Sequence, residues 1–394
     1  MREQAIQDMQ SSALNHEARS LPDRADAGRV LILADDLTGA CDSGVAFLAA
    51  GRPVRVVLDA SSLNAKRLRE LESSGRESVW AFTMETRNLM PEEARKRVAY
   101  SILTLHPMSQ DALLFKKIDS AARGHLGVEV MAALQHSGAA LALVAPAFPK
   151  AGRTVASGIL SVGDCSGQNA TVVLRELFPQ VDANDIDVLS AGSELHLEQG
   201  IARAIANGTR ILLCDASTQA DLERLAAVAL PMRQPLLWAG SAGLAHALAG
   251  VLPVLDPPPV LPSTHRSGRT LLFAGTSHPV TSLQLSHLEQ HSGAPARATH
   301  RIQLDTASEQ EIVAAFTAMP VAALILTGGE TAAFVLRALG ASGIALAGEL
   351  AAGIPWGFIE GGLAGGCIVI TKSGGFGEHD ALLHAFEFCE RRSL

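Results

Sequence analysis

The feature that most constrains this chain is a series of short, uninterrupted apolar runs, each followed by polar or glycine-rich residues. The first, Arg29 to Ala34, carries Val30, Leu31, Ile32 and Leu33 and gives way to Asp35, Asp36, Thr38 and Gly39. Runs of the same kind recur at Val54 to Leu58, Val79 to Phe82, Leu113 to Phe115, Leu141 to Val144, Ile211 to Cys214 and Leu236 to Ala239. A continuous apolar run, unlike an alternating one, suits a strand buried on both faces. Most of the runs are separated by stretches with helical spacing, such as Ser43 to Ala50, Pro91 to Leu105 and Gly127 to Gln135. Strands alternating with helices predict an α/β fold with a largely parallel sheet.

The rhythm breaks once. From Val251 the chain reads V-L-P-V-L-D-P-P-P-V-L-P, which neither a regular helix nor a central strand tolerates. The alternation restarts at Thr270 to Ala274, returns at Ala322 to Leu326 and Cys367 to Ile370, and closes with a helical tail from His379. This predicts two α/β domains with largely parallel sheets and a ligand cleft between them. Their bounds are 29 to 250 and 269 to 394, joined by a Pro-rich linker at 251 to 268. A chain of 394 residues is long enough for two such cores. The first 28 residues mix Arg2, Arg19 and Arg24 with five acids and have no apolar segment behind them, so they read as a mobile tail and not as a leader.

Charge and cysteine usage narrow the partners. Lys and Arg total 32 against 40 Asp and Glu, a net of −8, so no global positive field awaits a nucleic acid or an anionic membrane. No apolar stretch reaches the 18 residues of a membrane span. Five scattered cysteines, with no C-x-x-C pair, suit the cytoplasm. A small anionic partner would need local basic groups.

Ligands of open parallel sheets sit beyond the carboxyl ends of the strands. In the first half those ends carry Asp35 and Asp36, then Glu85, Thr86 and Arg87, then Lys116, Lys117, Asp119 and Ser120, then Lys150 and Arg153. Asp36 suits an N-cap of the helix that starts near Thr38, and equally a carboxylate that holds or deprotonates a hydroxyl. Arg87 could pair with Glu92 or Glu93, or offer its fork to a carboxylate ligand. Strand alternation sends Lys116 and Lys117 to opposite faces without saying which one meets a cleft.

The second half follows its strands with glycines and hydroxyls: Gly275-Thr276-Ser277, Gly328-Gly329-Glu330-Thr331, and Lys372-Ser373-Gly374-Gly375-Phe376-Gly377. Such turns offer backbone N–H groups to phosphates, and a helix after Thr331 would aim its positive end at an anion. There is no G-x-x-x-x-G-K-[ST], and no G-x-G-x-x-G after the first strand, so neither an ordinary P-loop nor a dinucleotide fold applies. His287 and His291, spaced i, i+4, lack the metalloprotease order and read as a solvated helix face. Ser241 in A-G-S-A-G departs from the hydrolase elbow.

Taken together, these segments resemble the four-carbon acid sugar kinase family. The resemblance is carried by Ala34-Asp35-Asp36-Leu37-Thr38-Gly39-Ala40, by Lys117-Ile118-Asp119-Ser120 with Arg123-Gly124-His125-Leu126-Gly127, and by Pro146-Ala147-Phe148-Pro149-Lys150-Ala151-Gly152-Arg153-Thr154. Thr327-Gly328-Gly329-Glu330-Thr331, Gly353-Ile354-Pro355-Trp356-Gly357 and Lys372 to Gly377 extend it through the second half. The resemblance implies a cytoplasmic, ATP- and Mg²⁺-dependent kinase acting on the 4-hydroxyl of a sugar acid such as D-threonate, D-erythronate or 3-oxo-tetronate. It implies that Asp36, Arg87, Lys117, Ile118, Asp119 and Ser120 bind the acid, with Asp36 as the catalytic candidate. Thr276, Gly328, Gly329, Glu330, Thr331 and Gly374 would bind ATP. The matching R-G-x-x-G segment adds Arg123 to the first group, and the strand-end reading adds Asp35 to the first and Ser277 and Gly375 to the second; metal ligands stay unassigned. The expected partners are the acid and ATP, with a homo-oligomer left open.

The chain departs from the family at Ala121, His125, Thr276 and Ser161 to Ala170, where substrate choice would be set. Two alternatives therefore remain: a kinase for a larger or branched oxo-sugar acid, and a non-catalytic sensor of a sugar acid or nucleotide.

Overall fold

The computed structural model describes residues 28–60, 63, 68–69, 73, 78–109, 112–163, 169–255, 266–291, 297–303 and 306–392. The expected N-terminal tail, Cys165 and most of the Pro-rich linker lie outside the described residues. The first half runs β1 (Arg29–Ala34), α1 (Leu37–Val45), β2 (Val54–Val57), β3 (Val79–Thr83), α2 (Pro91–Ser109), β4 (Ala112–Lys117), α3 (Leu126–Ser137) and β5 (Leu141–Ala145). It continues through β6 (Arg153–Ala156), β7 (Ile159–Gly163), β8 (Asn169–Val173), β9 (Ile186–Leu189), α4 (Glu194–Ala206), β10 (Ile211–Cys214), α5 (Gln219–Ala229), β11 (Leu236–Gly240) and α6 (Ala242–Val251). The second half is β12 (Arg269–Ala274), α7 (Pro279–His291), β13 (Arg297–Arg301), α8 (Glu309–Thr317), β14 (Val321–Thr327), α9 (Gly329–Ala338), β15 (Gly343–Ala351), β16 (Ile354–Glu360), β17 (Ile368–Lys372) and α10 (Ala381–Arg392).

The apolar runs do form buried strands: β3, β5, β11, β14 and β17 are buried along their whole length. They join one 14-stranded sheet in the order β13-β12-β14-β17-β16-β15-β2-β3-β1-β4-β11-β5-β10-β9. The fold is α/β and mostly parallel, as expected, but the two halves share a sheet. The junction is antiparallel, Gly343 to Ala345 of β15 against Val57 to Arg55 of β2. Gly343 is small for a reason, since a Cβ there would lie 2.5 Å from the Val56 carbonyl oxygen. β15 and β16 form a hairpin that turns at Gly353, with φ of 75°, and hands the sheet from the parallel strands of one half to those of the other. The larger apolar core runs across the junction, from Val30 to Val369. A separate three-stranded antiparallel sheet, β6-β7-β8, flanks the first half.

Register positions the site. Ala34 pairs with Thr83 on one side and Lys117 on the other, and Lys117 pairs with Gly240, so β1, β3, β4 and β11 end level. In the second half Ala274, Thr327 and Lys372 are level in the same way.

Candidate active site

Asp36 caps α1: its Oδ1 accepts from the Gly39 amide at 2.7 Å and its Oδ2 from the Thr38 hydroxyl at 3.0 Å. The capping role expected of it is therefore real, and it coexists with a second one. Arg87 donates from Nη1 to Asp36 Oδ2 at 2.6 Å, and from Nε and Nη2 to Asp35 Oδ2 at 2.9 and 2.8 Å. Its Nη2 also lies 3.3 Å from Asp119 Oδ1. The chain reaches this position through Glu85, whose φ of 47° is left-handed and turns the segment after β3 back over β1. Glu92 and Glu93, the surface partners considered for Arg87, pair instead with Arg95 and Arg97.

Asp119 accepts twice from the Arg123 guanidinium, at 2.9 and 2.7 Å, and from the amides of Ala121 and Arg123. Burial would raise its pKa, but the Arg123 hydrogen bonds and the charges of Arg87, Arg123 and Lys117 hold it well below the ordinary value. Burial likewise works against Asp35, and Arg87, Lys117 and Lys116 outweigh it. Both carboxylates thus stay ionised, and Arg87, held up by Asp36, Asp35 and Asp119 against its own burial, stays charged.

The two lysines separate as alternation requires. Lys116 turns away and meets Glu129 of α3 at 2.8 Å in a fully buried pair. Lys117 enters the site and is almost wholly buried, and its ammonium has no hydrogen bond or ion pair among the described residues. The carboxylates of Asp35, Asp42 and Asp119 act on it through charge alone, so its N–H donors remain open to an anionic ligand.

These groups line one cavity. Asp36, Arg87, Lys117, Asp119, Ser120 and Arg123 all border it. Asp35 supports Arg87 from behind, and Ile118 is buried in the core with its amide bonded to the Gly240 carbonyl at 2.9 Å. The cavity also takes in Thr38, Gly39 and Asp42 of α1, Ser241, and, from the second half, Gly353, Ser373 and Phe376. Sequence reasoning passes over Asp42, although its i, i+4 spacing from Thr38 puts it on the same helix face. Ser241 acts as the cap of α6, accepting from the Gly243 amide and donating to the Ala147 carbonyl at 2.7 Å.

Across the cavity the three glycine turns converge. A Cβ on Gly275 would lie 2.3 Å from Thr331 Oγ1, and one on Gly374 would lie 2.7 Å from Thr276 Oγ1. Gly328, with φ of 100°, precedes α9 and sits against Thr276. Ser277 is exposed at the mouth of the first turn, and Gly375 packs beside His278. Glu330, in the first turn of α9, accepts a hydrogen bond from Asn88 of the other half. Lys372 is buried under the third turn, its Nζ within 3.3 Å of Thr281 Oγ1 and of the carbonyls of Ser373, Gly374 and Phe376. The glycines of these turns thus pack closely against the hydroxyls of Thr276 and Thr331, and Gly329 at the head of α9 lies against Asp36.

The fold is α/β, with a charged cavity at the strand ends of the first half and a set of glycine turns at those of the second. Residues 30–248 match the sugar-binding N-terminal domain and residues 306–382 the nucleotide-binding C-terminal domain of one protein family. A D-threonate kinase of Bordetella bronchiseptica is 31% identical over 92% of this chain and 97% of its own. A D-erythronate kinase of Heliobacterium modesticaldum is 30% identical over 66% of this chain and 60% of its own. A crystal structure from Salmonella typhimurium LT2 shares the fold with a TM-score of 0.69 at 21% identity, covering 91% of this chain and 98% of that one. The chain belongs to the four-carbon acid sugar kinase family, and it is a kinase. Among the described residues no helix is long and apolar enough to cross a membrane, and four cysteines, Cys41, Cys214, Cys367 and Cys389, are buried thiols outside any disulfide.

Proposed function

We propose that this kinase transfers the γ-phosphoryl group of ATP to the 4-hydroxyl of a four-carbon sugar acid, with D-threonate the foremost candidate beside D-erythronate and 3-oxo-tetronate. The observation that carries the reading is Lys117, a buried cation that borders the cavity and whose ammonium makes no hydrogen bond or close ion pair among the described residues. Arg87 is already committed to Asp35, Asp36 and Asp119, so the acid's carboxylate falls to Lys117, with Arg123 and Ser120 beside it. Asp36 orients the attacking end of the acid, since each of its oxygens already accepts a hydrogen bond.

The nucleotide lies against the turns at Thr276 and Ser277, at Gly328, Gly329, Glu330 and Thr331, and at Gly374 and Gly375. The backbone N–H groups and the positive end of α9 receive its phosphates. Mg²⁺ enters as part of the substrate MgATP, bound chiefly through phosphate oxygens. Among the described residues no cluster of three or more His, Cys, Asp or Glu is placed to hold a metal. Residues 29 to 250 then serve the acid and 269 to 394 the nucleotide, with transfer beside the contact of Asp36 with α9. Buried cysteines that form no disulfide among the described residues fit a cytoplasmic enzyme.

The test is ADP release from MgATP in the presence of D- and L-threonate, the erythronates, their oxo-acids and longer or branched sugar acids, with Asp36→Ala as control. ADP release that needs one of these acids and is lost in Asp36→Ala is the expected result. Nucleotide or acid binding without any acid-stimulated ADP release overturns the reading.

A further inference from the structure

The carboxylates that the strand ends contribute are already engaged. Asp35 and Asp36 grip the Arg87 fork, and Asp119 grips Arg123 and lies near Arg87. Phosphoryl transfer to an alcohol nevertheless needs an acceptor for the hydroxyl proton.

Asp42 is different from these three. It borders the same cavity from α1, one helical turn beyond Thr38 and Gly39, so the three share one face. Its Oδ1 is buried and has no hydrogen-bond partner, and no ion pair reaches it among the described residues. Three charged groups surround it: Lys117 from the end of β4, Glu349 from β15 and Asp36 at the head of α1. Burial, and then the two carboxylates, push its pKa up to about 7, with Lys117 opposing them. A carboxylate in that range is basic enough to take a proton at neutral pH and acidic enough to release it afterwards.

We propose that Asp42 is the catalytic base of the reaction, a role that rests on the kinase reading above. As the 4-hydroxyl oxygen forms its bond to the γ-phosphorus, the bond from that phosphorus to the β,γ-bridging oxygen breaks and ADP leaves with the electron pair. The hydroxyl proton passes to the Asp42 carboxylate and from there to water, which completes the balance.

The experiment is the pH dependence of kcat from about pH 5.5 to 9 with saturating MgATP and the best acid of the panel, for the wild type, Asp42→Asn, Asp42→Glu and Glu85→Gln. Glu85 is included because burial and the nearby Asp36 also raise its pKa to about 7. The wild type and Glu85→Gln are expected to lose activity below about pH 7 with a slope of one, the limb belonging to the base. Asp42→Asn is expected to lose about 100-fold or more in kcat and to lack the limb, with both KM values nearly unchanged. Asp42→Glu keeps the proton acceptor and recovers part of kcat together with the limb. Retained kcat in Asp42→Asn, a rise in KM alone, a limb that survives in Asp42→Asn, or a limb that disappears in Glu85→Gln overturns the assignment. Thermal melting of each variant separates loss of the base from loss of the fold. If the wild type turns over none of the acids, the kinase reading itself falls and Asp42 falls with it.

Discussion

A Cβ added to Gly329 would lie 2.6 Å from Asp36 Oδ2 and 3.1 Å from Thr38 Oγ1. The first residue of α9 therefore touches the cap of α1, although the two lie 293 positions apart in the chain. Two helix N-termini, one from each half, meet over a single carboxylate. In the proposed reaction that is where the phosphoryl donor and acceptor face each other.

Gly329→Ala tests this contact. Asp36 is pinned by Gly39, Thr38 and Arg87 and has little room to yield to a methyl group. Misplacing a reacting pair by about 1 Å costs up to roughly 100-fold in rate, so kcat should fall by about 10- to 100-fold. Steady-state kinetics and a melting curve check it; unchanged kcat in a folded variant would show that the contact does not matter to transfer.

Lys117→Met removes the cation proposed to hold the acid's carboxylate. A hydrogen bond to a charged group contributes roughly 1.5–3 kcal/mol, so KM for the acid should rise about 10- to 100-fold while KM for ATP stays near its original value. Lys117 also favours the ionised form of Asp42. Its loss should move the acid limb of the kcat profile to higher pH, and both effects are read from the same kinetic series.

Lys116→Met is the contrasting case. It leaves Glu129 buried without its partner, and breaking a buried pair in this way costs roughly 3–5 kcal/mol. The urea midpoint should drop clearly while KM for the acid does not change. A double variant with Glu129→Leu should recover much of the loss, since apolar replacement of a whole buried pair is often neutral.

Glu85 governs a pH dependence of stability. Burial, and then Asp36, raise its folded-state pKa from the ordinary 4.5 to about 7. The unfolded chain therefore releases this proton first, and stability declines as pH rises from about 4.5 to 7 and stays reduced above that. Glu85→Gln should raise the melting temperature at about pH 8, corresponding to roughly 1–3 kcal/mol, and leave it nearly unchanged at about pH 4.5. Equal effects at both pH values would contradict the burial of an ionised Glu85.

The strands are legible in the sequence where burial on both faces leaves no polar residue, as in Val30 to Leu33 or Leu141 to Val144. β6, β7 and β8 are not, because they are short and partly exposed, so no uninterrupted run marks them. The joining of the halves is hidden for a different reason. It depends on β15 reaching β2, where Gly343 to Ala345 pair antiparallel with Val57 to Arg55. These partners come from opposite halves of the chain, and no local pattern encodes a pairing over that distance.

The site is legible in part for the same physical reasons. Charges after a buried strand must lie at its end, which marks Asp36, Lys117 and Asp119, and alternation separates Lys116 from Lys117 without choosing between them. Asp42 carries no strand-end signal. Its place on the cavity wall follows from the pitch of α1 and from what lies near it, Lys117 and Glu349, which only the folded chain brings together.

The most direct test of the central claim is the proton-coupled ³¹P spectrum of the product made from MgATP and the preferred four-carbon acid. Transfer to the 4-hydroxyl places the phosphorus beside a CH₂ group, and the account predicts a triplet. A doublet, from a phosphate on a CH carbon, or inorganic phosphate alone would contradict it.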